Sequence, residues 1–157
     1  MSDFLVRRAN SHDLPAVVEL IRALSVFENL PGPDDAAAAR LTGDFAANHF
    51  GLTVAERGAE VVAYALYFMT YSTFLARPSL YLEDLFVRPD ARQLGIATAL
   101  LRDLARLARE SGCGRFEWTV LDWNEKAIRF YRGLGAELLP DWRVCRLTSD
   151  GIAFLAR

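Results

Sequence analysis

Three sets of residues in this 157-residue sequence have types and spacings suited to chemistry. The first is Arg92-Gln93-Leu94-Gly95-Ile96-Ala97. It falls where an apolar run, Tyr81 to Val87, gives way to a stretch of helical spacing that ends at Arg109. Gly95 lets the backbone come close to a bulky anion, Ala97 keeps the helix start open, and Arg92 adds positive charge at the rim. Successive N–H groups beside the positive end of a helix dipole suit a phosphate or pyrophosphate. An ordinary glycine-containing loop has the same spacing. The second set is Glu83-Asp84, a carboxylate pair inside an apolar strand. Neighbours in a regular strand point to opposite faces, so at most one of them faces a given cleft. A charge on such a strand is costly unless paired or used. Either the pair sits at a sheet end in water or against an arginine, or Glu83 takes a proton, directly or through water, from a cationic substrate. The third set is Asn124 and Tyr131, seven residues apart and on one face of a short helix. Whatever the Asn124 cap faces, the Tyr131 hydroxyl can face too; a core tyrosine has the same spacing.

These residues need a scaffold, and the sequence supplies one. Phe4 to Arg8 reads as a strand. Ser11 or Asp13 caps a helix whose apolar positions are Leu14, Val17, Val18, Ile21 and Leu24, and Asn29 to Pro33 breaks it. Asp34-Asp35 opens an alanine-rich second helix to about Asn48. Leu52–Glu56 and Glu60–Tyr71 flank a tight turn and form a hairpin. The latter strand is apolar enough to be a central one covered on both faces. Tyr81–Val87 is the next strand. The helix after it has Ala97, Leu100, Leu101, Leu104, Leu107 and Ala108 as its apolar stripe, and Gly112 or Gly114 stops it. Arg115–Leu121 is a strand, Glu125–Arg132 a helix capped by Asn124, and Trp142–Leu147 a last strand before the apolar tail Ile152–Leu155. Trp118, Trp123 and Trp142 read as packing residues. The order gives an α+β fold with a mixed, mostly antiparallel central sheet and helices on both faces.

Composition bounds the function. The length and the absence of a linker suit a single domain over residues 1–157. A 52% hydrophobic and 24% charged chain is ordinary for a globular protein, and a net charge of −2 gives no reason to expect nucleic acid, which would call for a basic face. Cys113 and Cys145 are too few for a disulfide framework, and with His12 and His49 they make no metal-ligand cluster. No leader-like or membrane-length apolar run appears, so the expected location is cytoplasmic, with no membrane partner.

Taken together, YLEDLFV, RQLGIATALL and VLDWNEKAIRFYRGLGA, with SVFENL and FMTYST, resemble the GNAT superfamily of acetyl-CoA-dependent N-acetyltransferases. Within it the likeness is to the spermidine/spermine and thialysine (diamine) N-acetyltransferases. It is dense from Tyr64 to Ala136. The resemblance implies the GNAT fold, acetyl-CoA as cosubstrate, no metal and a homodimer. It also implies that Arg92, Gln93, Leu94, Gly95, Ile96 and Ala97 hold the CoA pyrophosphate, and that Phe86 and Val87 pair with the pantetheine amides beside a bulge or splay in the strand. Asn124 would bond the pantetheine and Tyr131 sit beside the thioester sulfur. Glu83 would be the proton acceptor and Glu28 an acidic residue near the amine.

The implied chemistry is direct transfer in a ternary complex. A primary amine, with a pKa of about 10.4, arrives as an ammonium and must lose a proton, for which Glu83 is the candidate. The amine then attacks the thioester, a strand N–H near Phe86 or Val87 steadies the oxyanion, and Tyr131 protonates a thiolate whose pKa is about 8.5. Polyamine-acetylating relatives carry an acid and a tryptophan where this chain has Ser72 and Phe74, which favours a thialysine-like amine over a long polycation. A peptide or protein amine, or a non-catalytic acyl-CoA sensor, are the other readings.

Overall fold

The computed structural model describes residues 3–157, and the chain divides into two compact units, Met1–Thr119 and Val120–Arg157. The first contains β1 (Leu5–Arg8), α1 (Leu14–Phe27), α2 (Asp35–Ala46), β2 (Gly51–Arg57), β3 (Glu60–Ser72), β4 (Arg77–Val87), α3 (Ile96–Glu110) and β5 (Arg115–Glu117). The second contains α4 (Glu125–Gly133) and α5 (Ser149–Leu155).

The strands form one sheet in the order β1-β2-β3-β4-β5. Its first three pairings are antiparallel; β4 and β5, joined through α3, are parallel. Directly paired residues share a face, and this sorts the core. On one face Leu52 and Val54 of β2 stand beside Leu66 and Tyr64 of β3 and Phe86 of β4, all buried against Leu14, Val17 and Leu20 of α1. On the other, Thr53, Ala65, Leu80 and Leu82 are buried. There Arg8 bonds both Thr53 and Asp103 of α3, the latter at 2.7 Å, which places α3 over that face. Leu100 and Leu104 of α3 are fully buried, as the 3.6-residue spacing predicts. Each contributes about 2 kcal/mol by burial.

Local signals explain the element ends. Asn10, rather than Ser11 or Asp13, accepts from the His12 amide and opens a 3-10 turn, while Asp13 bonds back to the Asn10 amide as a capping box. Asp34 caps α2 and Asn124 caps α4, as expected. Gly112, at φ 69°, follows the end of α3. Gly51 answers to close packing: a Cβ there would lie 2.3 Å from the Tyr67 ring.

Two expected strands differ. Arg115–Leu121 shortens to Arg115–Glu117. Trp142–Leu147 forms no strand; it is irregular, with Trp142, Val144 and Leu147 exposed. A strand exists only through bonding to a neighbour, and no described strand of this chain pairs with that stretch. Trp142 and Trp123 are accordingly exposed rather than core residues, whereas Trp118 is half-buried with its ring edge-on to Phe116 at 5.0 Å.

Candidate active site

The loop from β4 to α3 has the backbone expected of an anion cradle. Gln93 and Gly95 both take left-handed φ values, 65° and 83°, which turns successive amides toward one side. No side chain caps α3, whose first amides have no carbonyl behind them. A Cβ on Gly95 would meet nothing, so there is room in front of the loop. Leu94 is exposed, while Ile96 is buried and anchors the helix start with Ala97 beside it. These features fit a pyrophosphate.

Arg92 behaves differently from the expectation of a charge at the rim. Its side chain folds back: Nε donates to the Val87 carbonyl at 3.0 Å. The guanidinium lies 5.5 Å from the Phe86 ring centre and 5.9 Å from that of Phe27.

The edge of β4 supplies another element of the site. β5 pairs only with Ser79 to Tyr81, so Leu82 to Val87 have no neighbour in the sheet on that side. Arg88 donates its amide to the Val62 carbonyl of β3. Strand alternation then turns the peptide groups of Phe86 toward β3 and those of Leu85 and Val87 toward the open edge. An extended chain of amides, such as pantetheine, has the Leu85 groups and the Val87 N–H to pair with, the Val87 carbonyl being taken by Arg92. Leu85 escaped the sequence reading, because the parity of a strand's amides is visible only once one bond has been located.

At the same strand the register slips. Leu66 pairs with Asp84 and Tyr67 with Leu82, leaving Glu83 without a partner. This is a β-bulge, and it breaks the alternation that would have sent Glu83 and Asp84 to opposite faces. Glu83 is exposed; Asp84 is half-buried on the α1 face and accepts a 3.4 Å bond from the hydroxyl of Tyr64, itself wholly buried. Burial, then the negative charges of Glu83 and Glu28, push the Asp84 carboxyl up to about 6, against the bond from Tyr64, which lowers it. Glu28, just past the end of α1, therefore falls within reach of the same field. None of the three carboxylates has a cationic partner among the described residues. Nor is any group of acids among the described residues gathered as metal ligands. From the sequence Asp84 stands only as half of the carboxylate pair, without a role of its own, and Tyr64 has none. For Asp84 the available signal was its position next to Glu83. Tyr64 lies within the apolar run of β3 and carries no such signal.

Within the Val120–Arg157 unit, Asn124 accepts from the Ala127 amide at 3.2 Å, and this leaves its NH₂ group as the part available to a ligand. Tyr131 is half-buried beside Phe130, the ring centres 5.4 Å apart, and burial pushes its hydroxyl above the ordinary tyrosine value. It thus keeps its proton through neutral pH.

Comparisons with known proteins agree with this chemistry. Residues 15–136 match the acetyltransferase (GNAT) family. The chain is 34% identical over 169 residues to the thialysine N-epsilon-acetyltransferase of Sus scrofa and 35% identical over 169 residues to that of Mus musculus, covering 99% of both chains in each case. It is 44% identical over 92 residues to an L-ornithine N5-acetyltransferase of Arabidopsis thaliana, where the match covers 59% of this chain and 40% of that one. Among solved structures, a probable acetyltransferase superposes with a TM-score of 0.81 at 18% identity, over 92% of this chain and 97% of the other, which shows the fold. A strand edge open beside a loop that fits a pyrophosphate, carboxylates unpaired among the described residues and these sequence matches converge: the chain belongs to the GNAT family and is an N-acetyltransferase that transfers acetyl to an amine.

Proposed function

We propose that the protein transfers acetyl from acetyl-CoA to a primary amine of a small molecule, a thialysine-like lysine analogue or a diamine, by direct attack in a ternary complex. The observation that carries the substrate class is the bulge at Glu83, which leaves Glu28, Glu83 and Asp84 in one negative field with no cation among the described residues paired to them. An ammonium group is the ligand such a field selects. The names of the full-length relatives support the same class.

In this reading the backbone of Arg92 to Ala97 holds the pyrophosphate, and the open peptide groups of Leu85 align the pantetheine, the Val87 carbonyl being taken by Arg92. Asn124 donates to pantetheine through its amide. Glu83, exposed to water, takes the ammonium proton directly or through a water. The free amine attacks the thioester carbonyl, and the Val87 N–H steadies the oxyanion. Tyr131, still protonated at neutral pH, gives its proton to the leaving thiolate. The chain works as one N-acetyltransferase domain and as a cytoplasmic homodimer, the dimer resting on the likeness in its motifs and on the exposed Trp142, Val144, Phe154 and Leu155.

Thiol release from acetyl-CoA across lysine analogues, diamines, polyamines and peptide amines tests the substrate class. Turnover confined to peptides would replace the small-amine reading with a protein-modifying one. Tight CoA binding without turnover on any amine would favour a sensor. Tyr131→Phe should lower kcat by about 10²-fold while leaving the affinity for acetyl-CoA within about twofold. Equal turnover at saturating substrates would take Tyr131 out of the mechanism.

A further inference from the structure

Arg92 stands where its charge would naturally be given to a phosphate, and its side chain is used otherwise. The Nε–H reaches the Val87 carbonyl at 3.0 Å, a good hydrogen-bond length, on the open side of β4. The flat guanidinium is set near the faces of Phe86 on β4 and Phe27 at the end of α1, within cation–π range of both. No carboxylate among the described residues bonds it. One side chain therefore touches the anion loop that carries it, the last peptide group of β4, and the helix end adjoining Glu28.

We propose that Arg92 is a positioning residue, a clasp whose Nε–H fixes the β4 end to the anion loop and whose guanidinium plane ties both to Phe27 and so to the amine side. The assignment rests on the acetyl-CoA reading of this site and deepens it. It also removes the Val87 carbonyl from those available to a ligand and leaves the Val87 N–H as the free group there.

Side-chain topology gives a test with opposite signs. In glutamine the Nε2 donor is the same number of bonds from the backbone as arginine Nε, so Arg92→Gln keeps the bond to Val87 and loses the charge. In lysine that position is a methylene, so Arg92→Lys keeps the charge and loses the bond. The clasp predicts that Arg92→Lys weakens acetyl-CoA binding by about tenfold, one hydrogen bond's worth, while Arg92→Gln stays within about threefold. A charge-to-phosphate role predicts the reverse order, and observing it would overturn the proposal. Loss of the stacked guanidinium in Arg92→Gln should raise the amine KM about threefold, as should Phe27→Leu, with no further rise in the double variant. Melting curves establish that each variant folds. If the wild-type protein binds no acetyl-CoA, the functional reading fails on its own account. Amide exchange over residues 88–95 then still decides the clasp: it should speed up in Arg92→Lys more than in Arg92→Gln, and equal exchange in the two would sink it.

Discussion

Two groups of carboxylates in the Met1–Thr119 unit end in opposite states. At the β1–β2 end, Arg7 donates to Asp13 at 2.7 and 2.9 Å and to Glu56 at 2.8 Å, and Arg88 joins Glu60 at 2.8 Å and Asp90 at 2.6 Å. Hydrogen bonds from Arg7 hold Asp13 below the usual carboxylate range. At the β4 bulge, Glu28, Glu83 and Asp84 crowd together without a cation, and Asp84 is pushed up to about 6. In the arginine-bound group every carboxylate has a guanidinium partner. The bulge group has no such partner among the described residues, and on the proposed function the difference is that between a structural charge cluster and a binding one.

The comparison can be broken most sharply at Glu83. Glu83→Gln should lower kcat/KM for the amine by about 10²–10³-fold, with acetyl-CoA affinity and melting temperature nearly unchanged. A loss shared equally by acetyl-CoA binding would move Glu83 to the structural side.

Arg7→Ala is the converse. It leaves Asp13, 7% exposed in its side chain, without its guanidinium and should cost about 2–3 kcal/mol of stability at neutral pH in a denaturant titration, with kcat retained. Because the folded Asp13 is held below its ordinary value, the stabilisation is present above the usual carboxylate range and is lost as pH falls through the folded value. The deficit of the variant should therefore shrink in acid.

Asp84→Asn sharpens the contrast with the smallest effect and the opposite sign. Here the folded value lies above the ordinary one, so the ionised form destabilises the fold above about pH 6 and ceases to do so below the usual carboxylate range. The variant should be about 2 kcal/mol more stable than the parent at pH 7.5 and equal to it near pH 4, as read from paired denaturant curves. A loss of stability at pH 7.5 would mean that the field at Asp84 is neutralised by the protein itself.

Much of this was legible in the residues. The strand Tyr81–Val87, the turn at Gly95, the α3 stripe and the Asn124 cap follow from local rules of spacing and capping, and the structure carries each of them, although the strand begins earlier, at Arg77. What stayed hidden depends on neighbours distant in sequence. The Glu83 bulge is a mismatch between β4 and Leu66-Tyr67 of β3; the family likeness implies a bulge or splay in this strand, but spacing within YLEDLFV does not place it. The Arg92 side chain could reach forward to a ligand or back to Val87, and only the fold decides between them. Trp142–Leu147 has the composition of a strand, but composition does not provide an edge to bond with.

The short β5 has a consequence for handling the protein. By ending its ladder at Tyr81 it leaves Leu82 to Val87 of β4 with one side unladdered, which the proposed pairing with pantetheine would use and which any other extended chain can also exploit. The charged bulge at Glu83 then acts as a gatekeeper in the colloidal sense, interrupting a flat apolar edge that would otherwise template intermolecular sheet growth. Preparations kept loaded with CoA should stay monodisperse longer on storage than the same protein without it.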